Sequence, residues 1–361
     1  MKNKILYILS TYNIYGGTPK KTLDLMKYFG SNSVLYVYEK GYDEFKLKFV
    51  DTGGKIHEGF YGKNLLSHLK HLLRIIDEEK INIVQTQFFG GEVLGYLIKL
   101  LRPKIKLIIA FVGPFKPGKF KSFISKLIYR RTNHFVYITQ YVKNEKFHQF
   151  QILKRKNGSI IYNGSAVRID NKEYSPEMKN ISVFDIAGLV DWKNIQILIK
   201  AFNIILNQYK MTDYYLYVAG DGQYRSELEK MIDEYQLQDS VFLLGYQKNV
   251  GRLINSCDIF VHPSYAEGFG IVVPEAMLAK KPIIVSNAGA LPELIEHEKT
   301  GLIVEPHSAV DWANAIIQLA ENTEFATQLA KNAEKSATER FSYNKFCGEY
   351  EKLYNNLLEV K

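Results

Sequence analysis

Short apolar runs, separated by stretches with helical spacing, recur along the whole chain, and no other feature narrows the fold as much. Parallel strands need long crossovers that cover the sheet with helices, so their residues are buried on both faces and read as near-continuous apolar runs. In the first half such runs fall at 5–10, 33–38, 83–86, 107–111 and 134–138. Between them Leu65, Leu66, Leu69, Leu72, Leu73 and Ile76 are spaced as one helical face. The second half repeats the pattern at 183–188, 214–220, 241–244, 259–262, 282–286 and 302–304, with helices expected at 194–209, 224–235 and 269–279. The expected fold class is α/β, with two Rossmann-like doubly wound domains facing a central cleft at the carboxyl ends of their strands.

Length agrees with two domains, because 361 residues exceed what one core usually serves. An apolar fraction of 46% against 24% charged excludes a disordered chain. The boundary is expected near 165–180, where Asn163-Gly164 signals a turn and 170–179 is polar with Pro176. This gives an N-terminal domain at 1–168, a C-terminal domain at 169–342, and a final helix at 343–361 packing back across the first domain.

Net charge is +9, but it is divided: residues 1–165 carry 28 Lys+Arg and 11 Asp+Glu, residues 166–361 carry 19 and 27. The densest basic stretch, 102–156, has 14 cations and the single acid Glu145, a composition that attracts phosphates, anionic lipid or nucleic acid. Within it Phe120, Phe123, Ile124, Leu127 and Ile128 form an apolar stripe flanked by Lys119, Lys121, Lys126, Arg130 and Arg131. Such a helix suits an anionic membrane surface; a core-packed helix with a solvated basic face is the other reading. The run at 5–9 is too short for a signal peptide and no run reaches the roughly 18 apolar residues of a spanning helix, so any membrane attachment is expected to be peripheral. Two cysteines, Cys257 and Cys347, make no disulfide framework or zinc spacing and suit a reducing cytosol. The histidines show no three-ligand spacing, and no protein-bound metal is expected; His68 and His71 share a helix face without a third partner.

The most informative segment is His262-Pro-Ser-Tyr-Ala-Glu267-Gly-Phe-Gly-Ile271-Val-Val-Pro-Glu275. It sets a strand end, a glycine-bearing turn and a helix start in succession. Gly268 and Gly270 let backbone approach a ligand, and the N–H groups of Phe269, Gly270 and Ile271 fall where a helix N-terminus leaves donors open to a diphosphate. Glu267 and Glu275 are then placed for a sugar and for a ribose diol; taken alone, two such carboxylates are more often surface residues. Other candidate segments are Gly188-Leu-Val-Asp-Trp-Lys193, Val218-Ala-Gly220-Asp-Gly222, Phe242-Leu-Leu-Gly-Tyr246 and Gly16-Gly17 after the first strand.

These segments, with 258–264 and 282–293, resemble the signature of the retaining glycosyltransferases of family four (group 1), whose fold is GT-B. The resemblance implies transfer of a sugar from a nucleotide-diphosphate donor, of UDP or GDP type, to a glycan, glycolipid or polyprenyl-linked acceptor, as in bacterial surface polysaccharide or lipopolysaccharide assembly. It implies Glu267 and Lys193 as catalytic residues. The donor pocket it implies takes in Gly16, Gly17, Gly188, Lys193, Gly220, Tyr246, Gly268, Phe269, Gly270, Ile271 and Glu275, and no further cofactor is required. The implied location is the cytoplasm, peripheral on the inner face of the membrane. Two departures touch catalysis. Gly188 stands where the family commonly has an arginine, leaving Lys20 or Lys21 as substitutes, and Val112-Gly113-Pro114 stands where a histidine is common. A sugar-nucleotide epimerase of related fold and a non-catalytic nucleotide- or nucleic-acid-binding protein are the alternative readings. The chain carries no RNA-binding signature, and nucleic acid is not an expected partner.

Overall fold

The computed structural model describes residues 3–13, 17–165 and 180–359. Gly16 and the expected linker at 170–179 lie outside the described residues, as do positions 168 and 169, where the expected domains meet. The chain divides into two units, one of residues 1–164 with 343–361 and one of residues 165–342.

In the first unit, strands β1 (Ile5–Leu9), β2 (Ser33–Val37), β3 (Lys55–Glu58), β4 (Ile83–Thr86), β5 (Lys106–Phe111), β6 (His134–Tyr137) and β7 (Gly158–Ile160) form one parallel sheet in the order β3-β2-β1-β4-β5-β6-β7. The two-residue side-chain period explains why β1 is apolar throughout. Ile5, Tyr7 and Leu9 enter one core with Met26, Phe49 and the last helix, while Leu6 and Ile8 enter another with Leu72, Ile75 and Ile98. Strands β3 and β7 were not foreseen. Lys55–Glu58 is only partly buried and alternates charge with apolar residues, and Gly158–Ile160 is three residues long and starts with glycine, so neither carries a strong apolar signal.

The helix Leu65–Glu79 does not bury the face expected from its leucines. Its buried residues are His68, Leu72, Ile75 and Ile76, while Leu65 and Leu66 at its first turn are exposed. His68 replaces a leucine on that face because its ring nitrogens find partners, Tyr36 Oη at 2.7 Å and Gly62 O at 3.0 Å.

The second unit holds β8 (Ile181–Ile186), β9 (Tyr214–Ala219), β10 (Val241–Gly245), β11 (Ile259–His262), β12 (Ile283–Ser286) and β13 (Leu302–Val304), parallel, in the order β10-β9-β8-β11-β12-β13. The strand order reverses between β8 and β11, as it does between β1 and β4 in the first unit. Such a switch point opens a crevice beyond the carboxyl ends of the strands. The expected helix at 194–209 is α-helical over Ile195–Asn203 and continues as a π turn over Ile204–Gln208.

The final helix, Tyr343–Glu359, belongs to the first unit, although it follows the second in sequence. Phe346, Cys347, Tyr350, Leu353 and Tyr354 line its buried face and enter the core shared with β1 and the helix Gly17–Phe29. Tyr354 Oη donates to Gln85 Oε1 at 2.7 Å and meets Tyr7 Oη at 3.2 Å, which satisfies hydroxyls that burial would otherwise strand. Truncating a fully buried aromatic leaves a cavity as well as losing transfer energy. Phe346→Ala should therefore cost about 3–5 kcal/mol, seen as a lower urea midpoint with activity of the remaining folded fraction retained. An unchanged midpoint would show that the helix does not hold this unit together.

Candidate functional site

The candidate residues of the second unit follow the carboxyl ends of four adjacent strands. Gly188 and Lys193 follow β8, Gly220 follows β9, Tyr246 follows β10, and Glu267 to Glu275 follow β11. Sheet topology thus gathers segments spread over almost 90 residues of sequence at one switch point.

Glycines shape this end of the sheet. Gly220 has φ +140°, and a Cβ there would stand 1.8 Å from Ala187 O, so only glycine lets the β9 loop cross the β8 loop. Gly188 is exposed, and a Cβ there would come no nearer than 4.0 Å to its neighbour Asp221 O. Tyr246 projects into solvent, 58% exposed.

The β8 loop is clamped to the β11 loop. Ser264 Oγ and Tyr265 N both donate to Trp192 O, each at 3.0 Å. Asn194 takes the left-handed conformation (φ 59°), which asparagine tolerates, and its buried amide donates to Pro263 O at 3.2 Å and Pro306 O at 2.7 Å. This clamp sets Lys193 against Glu267, with Nζ donating to Oε1. The side chains are only 21% and 12% exposed. The same Glu267 oxygen lies 3.0 Å from His262 Nε2, and His262 Nδ1 lies 2.9 Å from Asp185 Oδ1. His262 ends β11 and Asp185 sits on neighbouring β8; both are fully buried.

Burial by itself pushes the Glu267 carboxyl up, but the His262 hydrogen bond and the Lys193 charge outweigh it and hold the group at about 2. For His262, burial opposes protonation, yet the Asp185 charge and hydrogen bond outweigh it and raise the ring above the ordinary histidine value. Backbone geometry fixes Glu267 further: Ala290 N donates to Glu267 O at 3.0 Å, and a Cβ on Gly289 (φ +58°) would come within 2.7 Å of that oxygen.

The glycine turn differs from expectation. The helix expected at 269–279 spans Val272–Leu278, with Ile271 as N-cap, so Phe269, Gly270 and Ile271 precede it. Glu275 consequently stands in its first turn rather than two turns along a longer helix, because Gly270 takes φ +76° and breaks the helix before it. The Phe269 side chain is core, packed edge-on to Phe341 with ring centroids 5.8 Å apart, leaving only its backbone for a ligand. Glu275 is half-buried.

In the first unit Gly17 opens the helix Gly17–Phe29 beyond the carboxyl end of β1. Lys21 does not serve as the substitute cation. Its ammonium is buried, forms no hydrogen bond among the described residues, and lies 5.0 Å from the Tyr350 ring and 5.7 Å from the Phe346 ring; burial lowers its pKa to about 7. Its position on the helix face that meets the final helix, invisible in local sequence, turns it inward.

From sequence alone Asp185 has no assigned role, and neither do His262, Asn194 or Gly289, although these lie in or beside the motif segments. Asp185 interrupts the apolar run 183–187 and His262 closes the run 259–262, and a charged or polar residue inside a buried strand is a readable signal. Asn194 and Gly289 carry no such mark. Among the described residues no His, Cys, Asp or Glu cluster stands where it could hold a metal ion, and no helix is long and apolar enough to cross a membrane.

The family model of glycosyl transferases group 1 matches residues 167–336. N-acetyl-alpha-D-glucosaminyl L-malate synthase of Bacillus anthracis is 29% identical over 52% of this chain and 48% of that protein. Poly(ribitol-phosphate) alpha-N-acetylglucosaminyltransferase of Staphylococcus aureus is 25% identical over 63% of this chain and 44% of that protein. The chain thus spans about half the length of these curated relatives. The solved structure of Anabaena HepE in complex with UDP and glucose superposes with a TM-score of 0.83 at 20% identity, over 98% of this chain and 100% of that one.

A carboxyl held low in the folded state stabilises that state above its ordinary value and ceases to do so as pH falls through the folded value. For Glu267 the window runs from 4.5 down to about 2, and the difference corresponds to about 3 kcal/mol. Urea midpoints measured between pH 6 and pH 3 should fall less in Glu267→Gln than in the native chain; parallel losses would show that Glu267 carries no such linkage.

Proposed function

We propose that the chain is a glycosyltransferase of group 1, the family whose model matches residues 167–336, built on the two-unit α/β fold known as GT-B, and that it transfers a sugar from a UDP-type donor with retention of configuration. The acceptor class is a glycan, glycolipid or polyprenyl-linked saccharide of a bacterial cell surface. The observation that carries this reading is the meeting of Lys193 and Glu267 at the switch point of the second sheet, beside the glycine turn and Glu275. UDP in the superposable Anabaena structure supports the donor class. The polymer acceptor named for the Staphylococcus relative supports the acceptor class.

Each residue has a chemical task in this reading. Departure of a nucleoside diphosphate builds negative charge on the leaving oxygen. Lys193 turns from Glu267 to that diphosphate, and backbone N–H groups of the 268–271 turn supply further donors, so that catalysis is mainly electrostatic. Gly188, Gly220 and Tyr246 border the nucleotide, whose ribose diol is taken by Glu275. Glu267, freed of Lys193, meets the sugar hydroxyls, and the acceptor attacks the face the diphosphate leaves.

Donor binding is assigned to the second unit and acceptor binding to the first. Loops after β2, β3, β4 and β5 expose Tyr42, Phe60, Tyr61, Phe88 and Phe115, aromatic faces suited to sugar rings. The helix Lys119–Arg131 exposes Phe120, Phe123 and Leu127 beside Lys119, Lys121, Lys126, Arg130 and Arg131. A solvated apolar and cationic face of this kind fits peripheral attachment to an anionic membrane, where a lipid-linked acceptor would be presented.

Opposing signatures test the site. Glu275→Gln should weaken UDP binding about ten- to a hundredfold by calorimetry, each tenfold being about 1.4 kcal/mol. Glu267→Ala should instead lower kcat with UDP affinity nearly intact. Lys193→Ala should cut turnover at least about tenfold, given roughly 4 kcal/mol between unit charges 4 Å apart near a surface. Identical losses of binding and turnover in Glu267→Ala would sink its assignment to the sugar.

For the surface, Phe120→Ser with Phe123→Ser should abolish sedimentation with phosphatidylglycerol vesicles while UDP binding persists. Binding that survives both changes would remove this helix from the membrane reading.

A further inference from the structure

His262 sits where neither ring nitrogen meets a proton donor. Nδ1 lies 2.9 Å from Asp185 Oδ1 and Nε2 lies 3.0 Å from Glu267 Oε1. An ionised carboxylate only accepts hydrogen bonds, and a neutral imidazole has one N–H and one lone pair. Whichever tautomer a neutral ring took, one nitrogen lone pair would face a carboxylate lone pair in a fully buried place, a pairing that costs free energy without any compensating bond. Only the doubly protonated ring satisfies both contacts with both carboxylates ionised.

Two further observations bear on what the ring does. Asp185 is completely buried, and its other oxygen, Oδ2, has no hydrogen-bond partner among the described residues. Its compensation therefore rests on His262, and a neutral ring would leave a buried carboxylate uncompensated. Glu267 Oε1, in turn, accepts from two donors, Lys193 Nζ and His262 Nε2. The charged groups facing the ring are Asp185 from β8, Glu267 from the loop after β11, and Lys193 from the turn after β8.

We propose that His262 is a positioning residue held as an imidazolium, donating through Nδ1–H to Asp185 and through Nε2–H to Glu267, which keeps Glu267 ionised and aimed when Lys193 turns to the donor diphosphate. The last clause rests on the transferase reading above; the protonation state does not. In the chain without donor, Lys193 and His262 share the Glu267 charge. With donor bound, Lys193 neutralises phosphate, and His262 remains as the buried cation that stops Glu267 from taking a proton. Asp185 sets the protonation of the ring and, among the described residues, its side chain bonds to nothing else, so its effect on turnover passes through His262.

The protonation state is read directly by NMR of the full chain with ring-15N-labelled histidine. Of the eight histidines, one should keep both ring nitrogens protonated at pH 8, and that signal should vanish in His262→Gln. Eight neutral rings at pH 8 would overturn the proposal and place the shared proton on a carboxyl. This measurement on the native chain stands even if a variant fails to fold. In Asp185→Asn the midpoint of the persistent imidazolium should fall by at least one pH unit. The alkaline limb of turnover with UDP-glucose should move to lower pH by the same amount, with UDP affinity within about twofold of native, a difference of about 0.4 kcal/mol. A loss of turnover equal at every pH would make Asp185 merely structural and sink the positioning role. Absence of turnover with every nucleotide sugar, by contrast, would sink the transferase reading while the NMR result decided the imidazolium separately.

Discussion

Parallel pairing of adjacent strands is the constraint on which the rest of this molecule depends. Strands that run the same way cannot be joined by a hairpin, so each must be followed by a crossover, here almost always a helix laid on one face of the sheet. The loops that leave the strands then all emerge at one end. In the second unit, β8, β9, β10 and β11 deliver Lys193, Gly220, Tyr246 and Glu267 to that end from four separate stretches of chain. The reversal of strand order between β8 and β11 leaves those neighbouring loops turning away from each other, which is where a ligand finds room.

Against that scaffold the site is a problem of buried charge. Asp185, His262, Glu267 and Lys193 alternate in sign along a continuous chain of contacts from the interior outward. Isolated, any of them would be expensive to hold at such burial; linked, each charge faces an opposite one. The outermost cation, Lys193, is also the most exposed of the four and sits on a single turn rather than a long helix. It is the member that the proposed donor phosphate would recruit, so the order of burial matches the order in which that proposal asks the groups to move.

The first unit shows the same logic applied to packing. Its core is completed by a helix from the far end of the chain, and the residues that receive it, Tyr7, Gln85 and Lys21, carry polar atoms into the interface. Tyr7 and Gln85 find partners on the helix. Among the described residues the Lys21 ammonium meets aromatic rings, which accept a cation weakly, and no hydrogen-bond acceptor.

What the sequence by itself determined is the class of fold and the identity of the motif at 262–275. Period-two burial makes strands such as 5–9 and 259–262 apolar on both faces, so they stand out locally, and glycines, prolines and acids at 262–275 are tied to backbone geometry that local sequence encodes. The edge strands at 55–58 and 158–160 were illegible because partial burial leaves no continuous apolar run. Tertiary structure alone decided that Lys21 faces inward and that His262 bridges two carboxylates. Each depends on a partner brought close by the fold, Tyr350 from 329 residues away for Lys21 and Asp185 from 77 residues away for His262. A burial or protonation state set by such a partner has no signature in the residues on either side of it.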